Sequence, residues 1–278
     1  MTIPLIQLDH NTEGKDYIVG DIQGCYNSLM DALNKIPFDF EKDRLFGVGD
    51  LIDRGPQSMQ CAKLIYEEWF ICTVGNHELM MMQTILNNNP AYRETWIGNG
   101  GEWHYEYDRD ELEQIALDMN NLPLIISVGT GKNHFNIVHA ELTKRFNDVI
   151  IPVTNEHVDH FNFEPWDIDD MLWGRQIVTP RQDHKTYQLM NSSTKKKYQS
   201  HDLSTTYVGH SIIPFGPIQI ERQIYLDTGH VTAVNYPGGP TTRSPLTIAC
   251  PVDKVFYSYT LPWKTVVKKP YSEIKKYT

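Results

Sequence analysis

Three short segments of the chain place glycine and an oxygen-bearing side chain directly after an apolar stretch. They read GDIQG at 20–24, GDLIDRG at 49–55 and GNHE at 75–78. A single Gly-Asp pair after a strand usually forms a turn in which Asp caps the next helix. Three such segments in succession favour a shared role, because Asp21, Asp50 and Asn76 would converge. The two carboxylates would then repel each other unless a cation lay between them.

Two histidines follow later apolar stretches, His139 in NIVHA and His210 in YVGH. A single histidine at such a position is more often structural. Two of them facing three oxygen ligands favour a pair of metal ions, and this mixture of oxygen and imidazole suits manganese, iron or zinc better than calcium. Two metal ions in one site can activate a water molecule and stabilise developing negative charge.

The three segments end three predicted strands that alternate with amphipathic helices. The predicted strands are 17–19, 45–48 and 70–74, and the predicted helices are 26–36, 57–69 and 78–86. This βαβαβα order pairs the strands in parallel with right-handed crossovers. All three strands then end at one edge of the sheet, which is where open α/β sheets bind ligands.

The rest of the chain has weaker patterns. Residues 91–121 are expected to be helical, and residues 144–206 carry polar insertions expected to shape the mouth of the site. The Lys195–Lys197 run within them is expected to be a solvated loop. The remaining predicted strands are 124–128, 135–138, 207–208, 223–226, 246–250 and 255–260. No linker divides the chain, so one domain is expected.

Composition limits the class of protein. The 278 residues are 40% hydrophobic and 22% charged, as in soluble globular proteins. A net charge of −10 argues against a dedicated nucleic-acid binder, and anionic phosphates would need local cations. Four scattered cysteines predict free thiols in a reducing compartment. We expect a cytoplasmic protein, because no signal peptide or membrane-spanning apolar stretch is visible.

The five motifs together carry a family resemblance. GDxxG, GDxxDRG, GNHE, VHA and a late GH resemble the ordered motifs of the phosphoprotein phosphatases, within the calcineurin-like metallophosphoesterases, over about 16–230. GCYNSLMDALNKI, WFICTVGNHELMM and GNGGEW between them are most similar to the lambda-type phosphatases of bacteria and bacteriophages, which suggests a phage origin. The resemblance implies a single metallophosphoesterase domain over 1–278, with C-terminal strands and a Lys-rich tail over 231–278. It implies an α/β fold, a four-layer α/β/β/α sandwich of two mixed sheets flanked by helices.

The resemblance also assigns roles to individual residues. Asp50 would bridge two divalent ions, most simply Mn²⁺, with Fe, Zn, Ni or Mg as alternatives. His77 would protonate the leaving oxygen, Asp53 would orient His77, and Arg54 and Arg175 would bind the phosphoryl oxygens. The full implied set of metal ligands is Asp21, Gln23, Asp50, Asn76, His139 and His210.

Gln23 departs from the lambda-type pattern, which generally has histidine at this position. A carboxamide oxygen is a harder and weaker ligand for a late transition metal than imidazole. Gln23 could therefore bind through oxygen and shift the preference toward manganese or magnesium, hold the first metal weakly, or mark an inactive site. The intact remaining motifs disfavour the third interpretation. GDxQGC is also a familiar motif among the symmetrical diadenosine tetraphosphatases, which fits a working centre.

The resemblance implies a metal-dependent serine/threonine protein phosphatase that acts on a phosphorylated protein or peptide as a monomer without membrane contact. A symmetrical bis(5'-nucleosyl)-tetraphosphatase is the first alternative, and adenine could then stack on Trp96, Trp103, Tyr105, Trp166 or Trp173. A non-catalytic binding protein is the second, and the presence of His77, Asp53 and Arg54 argues against it. The C-terminal lysines could form a solvated tail, guard an edge strand or dock an acidic partner.

Overall fold

The computed structural model describes residues 3–147, 149–180, 187–189, 202–214, 216–237 and 244–277. Within these residues two large mixed sheets, with helices around them, form the body of the protein. A buried apolar cluster lies between the sheets, and in it Phe46 of one sheet meets Phe135 of the other with ring centroids 6.2 Å apart. The predicted architecture of two mixed sheets flanked by helices is confirmed.

One sheet carries the first three predicted strands. Its order is β16-β15-β14-β2-β3-β4, and β2, β3 and β4 are parallel, as predicted. The C-terminal strands β14 to β16 add to it in antiparallel fashion. The strands are β2 (Asp16–Val19), β3 (Arg44–Gly47), β4 (Phe70–Cys72), β14 (Leu246–Cys250), β15 (Val255–Thr260) and β16 (Thr265–Pro270).

The other sheet has the order β1-β5-β6-β11-β13-β12-β17, in which β6, β11 and β13 are parallel. Strand β1 was not predicted from the sequence. It lies parallel to β5, with Leu5 opposite Ile125, so a partner far along the chain defines it. The strands are β1 (Ile3–Leu8), β5 (Pro123–Val128), β6 (Phe135–Val138), β11 (Thr205–Val208), β12 (Ile218–Ile220), β13 (Gln223–Tyr225) and β17 (Lys275–Tyr277).

The helices differ from the predictions mainly in length. The predicted helix over 57–69 is wrong in extent, because Ser58–Ala62 is α-helical and Lys63–Tyr66 continues as a 3₁₀ turn. The segment 91–121 contains two helices, and Gly100, at φ 99°, lies in the break between them. The described helices are α1 (Tyr26–Leu33), α2 (Ser58–Ala62), α3 (Asn76–Ile85), α4 (Pro90–Gly98), α5 (Arg109–Met119), α6 (Asn155–Asp159), α7 (Pro165–Trp173) and α8 (His230–Asn235).

The insertion between the two halves of the chain holds α6, α7 and two small hairpins. These hairpins are β7 (Lys144–Phe146) with β8 (Val149–Ile151), and β9 (Val178–Pro180) with β10 (Tyr187–Leu189). The Lys195–Lys197 run lies outside the described residues. None of the helices within the described ranges is long and apolar enough to cross a membrane.

Two further predictions can be compared with the fold. All four cysteines are free and buried, as expected. The Lys-rich C-terminal segment forms two edge strands, β16 on one sheet and β17 on the other. Of the three interpretations of this segment, the lysine-bearing edge strand therefore agrees with the fold, because charged side chains discourage pairing with another chain.

Candidate metal centre

Strands of both sheets end at one shared location. Asp21 follows β2, Asp50 follows β3, and Asn76 begins α3 after β4. His139 follows β6 and His210 follows β11, so these two arrive from the other sheet. All five side chains are buried, each at most 8% exposed. The two sheets thus bring the predicted oxygen and nitrogen donors together, although the residues span most of the chain.

The tightest group consists of Asp50, His139 and His210, whose potential ligand atoms all lie within 4.8 Å of one another. His139 Nε2 is 3.3 Å from Asp50 Oδ1 and 2.9 Å from Asn76 Oδ1. His139 Nδ1 lies 2.9 Å from the carbonyl oxygen of Val48, to which it can donate. That hydrogen bond leaves the Nε2 lone pair facing Asp50 and Asn76, an arrangement typical of metal-binding histidines.

Asp21 and Gln23 lie in the segment between β2 and α1. The Asp21 carboxylate accepts hydrogen bonds from His210 N at 3.1 and 3.2 Å. Gly209 makes this approach possible, because a Cβ there would lie 2.0 Å from Asp21 Oδ1. Gln23 is 2% exposed, and its backbone N–H donates to the carbonyl oxygen of Asp50 at 2.9 Å. Asp21 lies outside the tight group of Asp50, His139 and His210.

The backbone of the site is unusually strained for non-glycine residues. Positive φ angles occur at Gln23 (43°), Asp50 (51°), Asp53 (75°), Arg54 (64°) and His210 (61°). Left-handed backbone of this kind costs about 1–3 kcal/mol at a non-glycine residue and tends to cluster at functional sites. These five residues belong to the predicted metal-binding and catalytic set.

The Glu78 carboxylate forms hydrogen bonds with the turns that follow β3 and β4. No role was predicted for Glu78 from the sequence. Its buried carboxylate accepts hydrogen bonds from Asp50 N at 2.9 Å, Leu51 N at 2.8 Å and Gly75 N at 2.9 Å. The sequence signal was present, because Glu at the third position of a helix can bond back to the residue that precedes it. Glu78 therefore holds two of the three glycine-containing turns together.

His77 and Asp53 form a buried pair beside the tight group. His77 Nδ1 is 2.6 Å from Asp53 Oδ2, and the backbone N–H of His77 donates to Asp50 Oδ1 at 3.1 Å. Burial lowers the pKa of His77, but the charges of Asp50 and Asp53 outweigh burial, so this pKa is raised above its ordinary value. His77 therefore holds a proton more readily than a free imidazole does.

The two predicted arginines lie at the exposed rim. Arg54 Nη2 is 3.5 Å from Asn99 Oδ1, and Arg175 Nη2 donates to the carbonyl oxygen of His210 at 3.1 Å. Arg175 follows α7 in a segment held by Glu141, whose carboxylate accepts from Ile177 N at 2.8 Å and from neighbouring backbone N–H groups. Both guanidinium groups therefore project from segments anchored next to the buried donors.

Several buried polar atoms at this location lack a protein partner. Among the described residues, His77 Nε2, His210 Nε2 and Asp227 Oδ2 make no hydrogen bond. Burial, followed by the charges of His139 and Arg175, lowers the pKa of His210 to about 2, which keeps its imidazole neutral. Burial, followed by repulsion from Asp227 and Asp50, raises the pKa of Asp21. Neutral imidazoles and mutually repelling carboxylates fit divalent cations, because a cation would use the free donor atoms and offset the negative charge.

Comparison with known proteins agrees with this geometry. The family model described as calcineurin-like phosphoesterase matches residues 17–214. The serine/threonine-protein phosphatase 2 of Salmonella typhimurium is 30% identical over 223 residues, which cover 79% of this chain and 89% of that protein. A symmetrical bis(5'-nucleosyl)-tetraphosphatase of Pseudomonas syringae pv. tomato is 43% identical over 112 residues, which cover 34% of this chain and 37% of that protein. A protein serine/threonine phosphatase structure from Saccharomyces cerevisiae shares the fold at a TM-score of 0.53 and 18% identity, covering 81% of this chain and 71% of that one.

Proposed function

The chain belongs to the calcineurin-like phosphoesterase family, and from this premise we propose that it is a metal-dependent serine/threonine protein phosphatase. Members of this family are hydrolases that use a centre of two metal ions. The observation that carries the proposal is the buried pair of His77 and Asp53, placed next to the group of Asp50, His139 and His210. A proton donor beside a multi-ligand metal site is suited to metal-assisted phosphomonoester hydrolysis, in which a leaving oxygen must be protonated.

We propose that Asp21, Gln23 and Asp50 hold one metal ion, and that Asp50, Asn76, His139 and His210 hold the other. The chemistry that bound divalent ions supply here is activation of a water molecule and neutralisation of charge on the phosphoryl group. The oxygen donors favour Mn²⁺, with Fe, Zn, Ni or Mg as alternatives. The two carboxylate oxygens of Asp50 face different neighbours, since Oδ1 lies 3.3 Å from His139 Nε2 and Oδ2 lies 3.7 Å from His77 Nε2.

His77 is the proposed general acid. Its Nδ1 is held by Asp53, and its Nε2 lies 3.7 Å from Asp50 Oδ2 without a hydrogen-bond partner among the described residues. A protonated Nε2 can therefore donate its proton to the oxygen that leaves phosphorus. Serine and threonine alkoxides are poor leaving groups, so this donation matters most for phosphoserine and phosphothreonine.

Arg54 and Arg175 are the proposed phosphate-binding residues. Both lie at the exposed rim, and a planar guanidinium can donate two parallel hydrogen bonds to a phosphoryl group. The protein has a net charge of −10, so it needs local cations to attract an anionic substrate, and these two arginines supply them. Loss of either arginine should weaken substrate binding more than metal binding.

Dinucleoside polyphosphate hydrolysis remains the second candidate. The relative of Pseudomonas syringae pv. tomato favours it, because that protein is named a symmetrical tetraphosphatase. The GDxQGC form around Gln23, which resembles the motif of that group, also favours it. The aromatic residues favour it less. Trp96 is fully buried and so presents no face to adenine, and Trp103 is partly buried with its indole N–H donated to Asp53. Trp173 is the better candidate, at 37% exposed and with its ring centroid 6.4 Å from that of His210.

The remaining predictions are not needed for this proposal. A non-catalytic binding role is disfavoured by the retained pair of His77 and Asp53. Cytoplasmic location, a monomeric state and a phage origin stay predictions from the sequence, as does a single domain over 1–278. The substrate is proposed to be a phosphorylated protein or peptide.

The decisive experiment is turnover by metal-stripped protein supplied with Mn²⁺, Mg²⁺, Ni²⁺ or Zn²⁺ in turn. A phosphoserine peptide and diadenosine tetraphosphate are offered side by side, and Asp50→Asn serves as the control for metal-dependent turnover. We expect peptide hydrolysis that returns with Mn²⁺ and is absent in Asp50→Asn. Hydrolysis of the dinucleotide alone would replace the proposal with the second candidate, and no turnover of either substrate with any ion would refute both.

A further inference from the structure

Asp227 is a buried carboxylate with a free oxygen at the metal centre. It follows β13 by two residues and is only 2% exposed. Oδ1 accepts a hydrogen bond from Gly229 N at 2.8 Å, whereas Oδ2 has no partner among the described residues. A buried carboxylate oxygen without a partner is costly, which points to a ligand that this oxygen binds.

The backbone places Asp227 next to Asp21. Gly20 packs so closely on the end of β13 that a Cβ there would lie 2.3 Å from Leu226 O and 3.1 Å from Asp227 N. The residues that follow Gly20 and Leu226 are Asp21 and Asp227, so the two carboxylates begin from touching strand ends. Asp227 is therefore a sixth polar side chain at the strand ends, in addition to Asp21, Asp50, Asn76, His139 and His210.

The electrostatic environment agrees with this placement. The charge of Asp227 acts on Asp21, and the charge of Asp50 acts on Asp227. Asp21, Asp50 and Asp227 are each at most 4% exposed, so three carboxylates lie buried with little water to screen their charges. Buried like charges of this kind need a cation among them.

The donors on this side of the site also have a chemical pattern. Asp21, Gln23, Asp50 and Asp227 offer only oxygen atoms, whereas the opposite side adds the imidazoles of His139 and His210. Oxygen-only ligation suits hard ions such as Mn²⁺ and Mg²⁺, and imidazole admits Zn²⁺ and Ni²⁺ as well. The two metal positions therefore differ in the ions that they should prefer.

We propose that Asp227 is a further ligand of the first metal ion and that it compensates for the neutral Gln23, so that this position is an all-oxygen site selective for Mn²⁺ or Mg²⁺ over Zn²⁺. The inference rests on the proposed two-metal function. Its test measures metal binding and not turnover, so its failure and that of the proposed function can be told apart. A chain that binds metal as described but hydrolyses neither substrate would leave the ligand assignment standing.

The experiment is a titration of metal-stripped full-length protein with Mn²⁺ and with Zn²⁺. Binding is measured by calorimetry and, for Mn²⁺, by the electron paramagnetic resonance signal of the bound ion. Wild type should bind two Mn²⁺ ions in two classes. Asp227→Asn should weaken one class by about tenfold or more and leave the other unchanged, because removing an outer or inner partner of a metal typically costs 10–100-fold in affinity. Asp43→Asn is the matched control, since Asp43 is also buried but accepts hydrogen bonds from Lys15 N and Asp39 N far from the site.

Two further variants keep the proposal testable if Asp227→Asn folds poorly. Asp227→Ser removes the carboxylate with a smaller side chain, and Gln23→His adds an imidazole to the same metal position. The double variant Gln23→His with Asp227→Asn should regain affinity and accept Zn²⁺ at the first position. Folded Asp227→Asn or Asp227→Ser protein with both Mn²⁺ classes at wild-type affinity would overturn the proposal. An unchanged Mn²⁺/Zn²⁺ preference in the Gln23→His variant would also contradict it.

Discussion

The carboxylate of Asp53 has three side-chain hydrogen-bond partners near the proposed reaction centre. It receives His77 Nδ1 at 2.6 Å, Trp96 Nε1 at 2.9 Å and Trp103 Nε1 at 2.6 Å. Burial raises the pKa of Asp53, and the bonds from His77 and the two indoles oppose that rise. Donors to a carboxylate favour its charged form, so the tryptophans help Asp53 to hold His77 in place. Trp96 and Trp103, the second of which belongs to GNGGEW, are therefore proposed to support the general acid through Asp53.

The His77→Asn variant tests the general acid directly. We expect hydrolysis of a phosphoserine peptide to fall by roughly 10²–10⁴-fold, the usual contribution of a positioned acid. Hydrolysis of p-nitrophenyl phosphate should fall much less, because its leaving group needs little protonation. Metal affinity, measured by calorimetry, should stay at the wild-type value. Equal losses on the two substrates would contradict the assigned role.

The Trp103→Phe variant tests the support of Asp53. A hydrogen bond to a charged group contributes about 1.5–3 kcal/mol, so phosphoserine hydrolysis should fall by about tenfold or more. The loss should again be smaller on p-nitrophenyl phosphate, a pattern that general loss of folding would not produce. Trp69→Phe is the matched control, because its indole donates only to the surface residue Glu67. A loss of the same size on both substrates would make Trp103 a purely structural residue.

At the scale of secondary-structure elements, one carboxylate joins three segments around Arg175. Glu141 follows β6 and accepts hydrogen bonds from Ile177 N at 2.8 Å, Val178 N at 2.9 Å and the Tyr225 hydroxyl at 3.0 Å. The segment after α7 is thereby fixed to the end of β6 and to β13. Arg175 belongs to this segment, so its position at the rim depends on Glu141.

The Glu141→Gln variant should therefore displace Arg175. Loss of the charged acceptor should lower the free energy of unfolding by about 1–3 kcal/mol. The KM for the phosphoserine peptide should rise several-fold while kcat changes less, because Arg175 is proposed to bind the phosphoryl group. Tyr225→Phe removes only the hydroxyl donor and should have the smaller effect on both measurements. An unchanged KM in folded Glu141→Gln protein would show that Glu141 does not position Arg175 for substrate binding.

At the scale of the whole molecule, both sheets must be in place before a site exists. Asp21, Asp50 and Asn76 come from one sheet, and His139, His210 and Asp227 come from the other. The inter-sheet cluster around Phe46 and Phe135 supplies the burial that holds the sheets together. Local stability near the site therefore depends on the overall stability of the fold, including its response to acid.

The buried His230 predicts part of that response. Burial lowers the pKa of His230 to about 4, from an ordinary value near 6.5, so the unfolded chain binds the proton more tightly. The contribution of neutral His230 to the unfolding free energy should therefore be fully present above pH 6.5 and be lost as the pH drops from 6.5 toward 4. Between pH 7 and pH 5 this one group should cost about 2 kcal/mol of unfolding free energy. Urea unfolding at both pH values should show that His230→Asn loses less unfolding free energy between pH 7 and pH 5 than wild type does, by that amount. An equal loss in the two proteins would show that His230 does not contribute to the acid response.

The order of the motifs, the parallel β2-β3-β4 sheet and the identities of most proposed site residues follow from the sequence alone. They can be predicted because glycine turns after short apolar strands and the helical period are local patterns, and parallel strands end at one edge. What only the tertiary structure decided are the contacts between distant segments. The end of β13 packs on Gly20, next to Asp21, and the indole of Trp103 reaches Asp53. Such contacts depend on strand order and sheet packing, which no local pattern encodes, and so Asp227 became a candidate ligand only once the two sheets were in place.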